Sequence, residues 1–169
     1  MDVQKALKSQ YHAALLMLRE TIELCPADLW TAGEARPFWR IAYHALYYTH
    51  LYLQPDEAAF QPWDKHRPEC HFLQWGPEEE PNAYSAYTQA EMLDYWRLCD
   101  RMIDAGVDRL DLEAPECGFS WYSMPKLEHQ MMNIRHLQQH TGQLAELLNQ
   151  AEVDTSWIGK ASFDTENQQ

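Results

Sequence analysis

Residues 135–148 read RHLQQHTGQLAELL, and their spacing is that of a helix with two unlike faces. Leu137, Leu144 and Leu148 fall on one side at helical intervals. Beside them runs a polar stripe of His129, Asn133, His136, His140 and Gln143. A polar stripe next to a core stripe faces the bundle or its mouth, where unpartnered polar groups are costly. His136 and His140 are four residues apart, so both imidazoles project from one helix face.

Working outward, three more segments carry the same periodicity. In the first, Leu7, Tyr11, Ala14, Leu15, Leu18 and Ile22 form one apolar stripe that ends at Pro26. The second, PFWRIAYHALYYTHLYL at 37–53, begins with a proline suited to a first turn and is apolar almost all round. It is expected to be the most buried helix. The third spans roughly Ala83 to Ala105, with Met92, Tyr95, Trp96, Cys99, Met102 and Ile103 on one face and Gly106 as its C-terminal cap. The fourth is expected to use Ser123 as N-cap and Pro125 in its first turn, and to run to about Gln150. With no strand pattern, these segments predict an all-α four-helix bundle over residues 1–150, followed by a tail at 151–169 in which Trp157 packs.

Residues 54–82 interrupt this plan. Pro55, Pro62, Pro68, Pro77 and Pro81 exclude a regular helix, and Glu78-Glu79-Glu80 is an acidic run. Phe60, Trp63, Phe72 and Trp75 indicate that the insert packs on the body of the protein. A loop of this length with aromatic content points to function.

The charge narrows the partners. Lys and Arg total 13 against 26 Asp and Glu, a formal net charge of −13. Such a surface repels phosphate backbones and anionic lipid, which argues against nucleic-acid and membrane partners. No apolar run is long enough to span a bilayer, and the N-terminal residues lack the pattern of a signal peptide. Cys25, Cys70, Cys99 and Cys117 form no CxxC pair. Together these features lead to the expectation of a cytoplasmic protein with buried, reduced thiols.

Two imidazoles rarely complete a metal site, and His44 on the second helix is the best third ligand. It shares a face with Ile41, Tyr47, Tyr48 and Leu51, and metal sites in bundles are assembled from facing helices. Three neutral imidazoles would hold one divalent cation and leave a position open, the pattern of a catalytic site more than a structural one. Zinc or nickel comes first in this reading, with iron or manganese behind. The competing reading is three histidines satisfied by core hydrogen bonds. The pair is not a zincin motif, because Leu137 stands where that motif needs Glu. A general base would be metal-bound hydroxide, Glu91, Asp94 or a tyrosine, and spacing does not choose among them. The remaining histidines read as packing or surface groups. His12 is expected at the surface, and His50 points about 120° from His44. His66, Cys70 and His71 have ligand chemistry but lack helical spacing because of Pro68.

PFWRIAYHALYYTHLYL on a second helix, with HLQQHTGQL on a fourth and SWIGK near the end, resembles the DinB/YfiT-like superfamily of metal-dependent bundle proteins. The resemblance implies an up-down-down-up topology, often dimeric, with a divalent metal on His44, His136 and His140. It also implies chemistry in which the metal activates a low-molecular-weight thiol for transfer to a small electrophile. Other members of the superfamily suggest hydrolysis, and a binding or structural role with no chemistry is the third expectation. Thr141, where many members carry a basic residue or histidine, and the enlarged insert are departures that bear on the substrate.

Overall fold

Helix α1, Val3–Leu24, starts where the Asp2 carboxylate accepts the Lys5 backbone N–H at 2.9 Å and ends before Pro26. Its buried stripe contains Leu7, Tyr11, Ala14, Leu15, Leu18 and Ile22, as the periodicity requires. A single turn, α2 at Ala27–Trp30, buries Trp30 and passes the chain to α3, Phe38–Tyr52. Helix α3 is buried on nearly every side. Helices α4, Gln89–Arg109, and α5, Lys126–Gln150, complete the set. The computed structural model describes residues 2–33, 36–73 and 85–161, and among these every regular element is helical. Trp75, the Glu78–Glu80 run and the end of the tail lie outside the described residues.

Helix α1 packs against α4 and α5, and α3 packs against the same two partners, which closes a ring of four long helices around one core. The core is aromatic on the α3 side. Tyr43 and Tyr95 pack at 5.6 Å between centroids, and Trp63 from the insert stacks on Tyr95 at 4.6 Å, nearly parallel. Burying rings of this size supplies much of the apolar area that holds the insert to the helices.

Polar groups cross this core in a connected chain. The Tyr11 hydroxyl donates to Gln130 Oε1 at 2.7 Å, and Asn133 donates back to Tyr11 at 2.9 Å. Gln130 also donates to the Tyr52 carbonyl at 2.8 Å. These bonds tie α1 and the end of α3 to fixed positions on α5.

Three expected boundaries need correction. Helix α4 starts at Gln89 rather than near Ala83, because Thr88 and Glu91 form a reciprocal capping box that begins the helix there. Its end lies past Gly106, which sits buried inside the helix against Leu53 instead of capping it. Helix α5 begins at Lys126 with Pro125 in the cap position. Ser123 makes no cap, because the Lys126 N–H is taken by the Ala114 carbonyl at 3.0 Å. The Lys126 ammonium turns inward to the carbonyls of Pro55 and Cys117, joining two loops under α5.

The tail is held by polar contacts and not by its tryptophan. Ser156 bonds Glu20 through both its N–H and its hydroxyl, and Gln10 donates to the Gly159 carbonyl at 3.1 Å. Trp157 is 78% exposed. All four cysteines are free and buried. Among the described residues, no helix is long and apolar enough to cross a membrane.

Candidate metal centre

The packed helices α3 and α5 bring His44, His136 and His140 together, with their ligand nitrogens all within 4.8 Å of one another. His44 Nε2 lies 3.0 Å from His136 Nε2, and His140 Nε2 lies 3.1 Å from the same atom. His140 is buried and the other two are half-buried.

The hydrogen bonds on the far sides of the rings fix two of the tautomers. His44 Nδ1 donates to the His71 carbonyl at 2.5 Å. His140 Nδ1 donates to Gln143 Oε1 at 2.8 Å. A neutral imidazole carries one proton, so both of these rings present a bare Nε2 lone pair to the centre. His136 can place its proton on Nε2 and satisfy one of those lone pairs. Otherwise it keeps the proton on Nδ1, which is buried with no partner among the described residues. Neither choice closes the network.

Electrostatics keep the cluster neutral. Burial pushes His44 down to about 3, against the opposing bond to the His71 carbonyl, and the neighbouring His140 and His136 push the same way. Burial, then His140, lowers His136 to about 4. His140 is lowered by burial too, partly offset by Gln143. Neutral imidazoles with converging lone pairs form a cation-binding donor set. Nitrogens about 2.0–2.1 Å from a common ion in tetrahedral directions would stand about 3.3 Å apart, close to the separations found here. The residues present therefore fit a divalent ion.

The centre opens into a cavity of about 560 Å³ bordered by His44 and His136 at its inner end. Tyr48 packs at 4.7 Å from the His44 ring and 5.5 Å from His136. Tyr47 and Tyr52 flank Tyr48 on α3, and Trp121, Tyr122 and Phe60 come from the loops. The α3 tyrosines are thus cavity wall as much as core. Burial raises the phenols of Tyr47 and Tyr48, the latter to about 12, so near neutral pH they are hydrogen-bond donors and not bases.

Neither acidic residue expected as a base reaches the cavity. Glu91 is spent in the α4 capping box, and Asp94 pairs with Arg97 at the surface. Glu57 is the carboxylate that borders the cavity among the described residues. His71 serves through its backbone carbonyl, while its ring stacks on Tyr47 at 4.3 Å. His66 accepts from Tyr43 at 2.6 Å, and Cys70 is buried, so the 66–71 cluster forms no second set of converging ligands. His50 bonds Tyr95, and His129 is enclosed by Tyr52 and Phe119, both apart from the triad. His12 is not a simple surface residue, since it is half-buried between Asp100 and Asp104 of α4.

Spacing exposed the three imidazoles but not Glu57, Trp121, Tyr122 or the His71 carbonyl, all of which come from aperiodic loops. The aromatic content of those loops was the one sequence signal available. Comparison of the chain with protein-family models, with curated proteins and with solved structures finds no match.

Proposed function

We propose that this chain is a divalent-metal protein of the DinB/YfiT-like type, in which His44, His136 and His140 hold the ion and a low-molecular-weight thiol is transferred to a small electrophile. The observation that carries the reading is the pair of tautomer-fixed lone pairs, on His44 and His140, converging on His136 with no internal hydrogen-bond solution. The order of interhelical contacts supports the up-down-down-up topology. Along α1, Lys8, His12 and Leu15 meet Asp108, Asp100 and Trp96 of α4 in reverse sequence order. Tyr11 and Met17 meet Gln130 and Gln138 of α5 in forward order, whereas His44 and Tyr52 of α3 meet His136 and Gln130 in reverse.

A bound divalent ion would supply Lewis acidity, lowering the pKa of a coordinating thiol and holding the sulfur beside its target. The chain supplies the rest. The His71 carbonyl and Gln143 hold two ligand rings in the tautomer that leaves Nε2 free. Tyr48 packs beside both His44 and His136 and helps to hold their rings in place. The neutral phenols of Tyr47 and Tyr48 can donate to a polar group on the electrophile.

The test is elemental analysis of tag-free protein beside His44→Ala and His136→Ala, followed by a thiol-consumption screen over a panel of electrophiles. About one ion per chain in the wild type, absent from both variants, is the expected result. Wild-type protein that takes up none of zinc, nickel or manganese would overturn the site. Metal-loaded protein that consumes no thiol with any electrophile would overturn the transfer reaction.

A further inference from the structure

The cavity beside the triad has a chemical bias that the metal does not explain. Its walls are aromatic, and two of its bordering rings, Phe72 and Trp121, are 44% and 48% exposed. Exposed apolar side chains carry meaning when they are grouped, and here both rings stand on one opening. Among the described residues that line it, none is Lys or Arg, and the charged one is Glu57. Around the site, a net charge of −13 draws cations and repels anions over the whole surface.

Aromatic faces with one carboxylate and no basic side chain are what an alkylated ammonium group needs. The ring quadrupoles attract the cation, the methyl groups bury against the rings, and the carboxylate balances the charge. An anionic ligand, by contrast, would find no Lys or Arg among the described residues of these walls. We infer that the cavity binds a small organic cation of the ammonium type, its charged end between Trp121, Tyr122 and Glu57 and its other end toward the triad. This rests on reading the cavity as the substrate site of the proposed function, but it does not require the metal to be bound.

The probes are choline and its uncharged carbon isostere, in which a tert-butyl group replaces the trimethylammonium. Each is titrated calorimetrically into the full chain, as purified and after chelation, with Glu57→Gln and Trp121→Leu in parallel. Both substitutions are at exposed positions. The expected result is tighter binding of choline by about fivefold or more, with the preference reduced in each variant. Equal binding of the two probes, no binding of either, or a preference unchanged in both variants would overturn the inference. Metal content measured on the same samples separates the two readings. A cation preference in protein that takes up no metal leaves this inference standing and removes the metal centre. Metal uptake without a cation preference does the reverse.

Discussion

His12 and His44 belong to the same bundle and have opposite electrostatic settings. His12, on α1, faces α4 with Nδ1 at 2.7 Å from Asp100 and Nε2 at 3.3 Å from Asp104. With a carboxylate at each nitrogen, both must donate, so the ring is favoured as the cation. Burial opposes this, but the bonds and charges of Asp100 and Asp104 outweigh it and raise the pKa above 6.5. His44, on α3, has one carbonyl behind it and two imidazoles in front, and burial drives it to about 3. The same side chain is a charged strut at one interface and a neutral donor at the other. What separates them is whether the facing helix offers carboxylates or lone pairs. Residue type alone therefore says little about what a histidine does. The groups across the interface decide.

The contrast can be broken or sharpened by experiment. The largest effect is expected from metal. Zinc at about a thousandfold excess over its Kd should stabilise the wild type by about 4 kcal/mol. His136→Ala should lose that gain, while His12→Gln should keep it, as read from melting temperature with and without metal. Equal responses from the two variants would erase the distinction between the interfaces.

Next comes Arg40, one turn before His44 on α3 and fully buried. It donates to the Phe72 carbonyl at 2.6 Å and the Glu69 carbonyl at 3.2 Å, which holds in place the loop whose His71 carbonyl fixes His44. Arg40→Met should cost about 3 kcal/mol in denaturant unfolding. It should also weaken metal binding by about tenfold or more, because the support behind a ligand ring is lost. A stability loss with unchanged metal affinity would show that the loop does not position His44.

Gly118 is expected to rank third. It has φ +85°, a conformation that disfavours side chains, and an added Cβ would press on the Pro55 carbonyl and on Asp56. The Gly118 carbonyl also accepts the Glu57 N–H. Gly118→Ala should cost about 2 kcal/mol and reduce choline binding by displacing Glu57, with metal content unchanged.

The smallest effect belongs to His12. Its folded pKa is raised, so its contribution is full below about 6.5 and is lost as pH rises through the folded value. His12→Gln should therefore destabilise by no more than about 1 kcal/mol at acid pH, and the gap should close as the solution becomes alkaline. A gap that grows with pH would reverse the assigned charge state.

Much of the architecture was legible because a helix repeats. The stripes of α1 and α5, the near-complete burial of α3, and the i, i+4 pair that meets His44 all follow from a period of about 3.6 residues. The failures have physical causes of their own. Gly106 has the composition of a cap, yet it is used for close packing on Leu53. Ser123 is a good cap residue, but a tertiary bond from Lys126 to Ala114 starts α5 later. Glu57, Trp121 and the His71 carbonyl reach the cavity through loops whose paths are set by Arg40, Lys126 and Gly118. Those are long-range contacts, which leave no periodic trace in the chain.

The buried Tyr11–Gln130–Asn133 chain acts on the site from a distance. Leucine-rich helix faces can slide past one another by a turn, about 5.4 Å, with little change in apolar burial. Such a slip of α5 would carry His140 to the height of His136 and leave His44 facing one imidazole instead of two. The amide side chains allow no such alternative, because after a slip they would meet aliphatic groups and lose the Tyr11 hydroxyl and the Tyr52 carbonyl. They work as keys in a keyway, indexing one helix against two others so that three nitrogens arrive at one point.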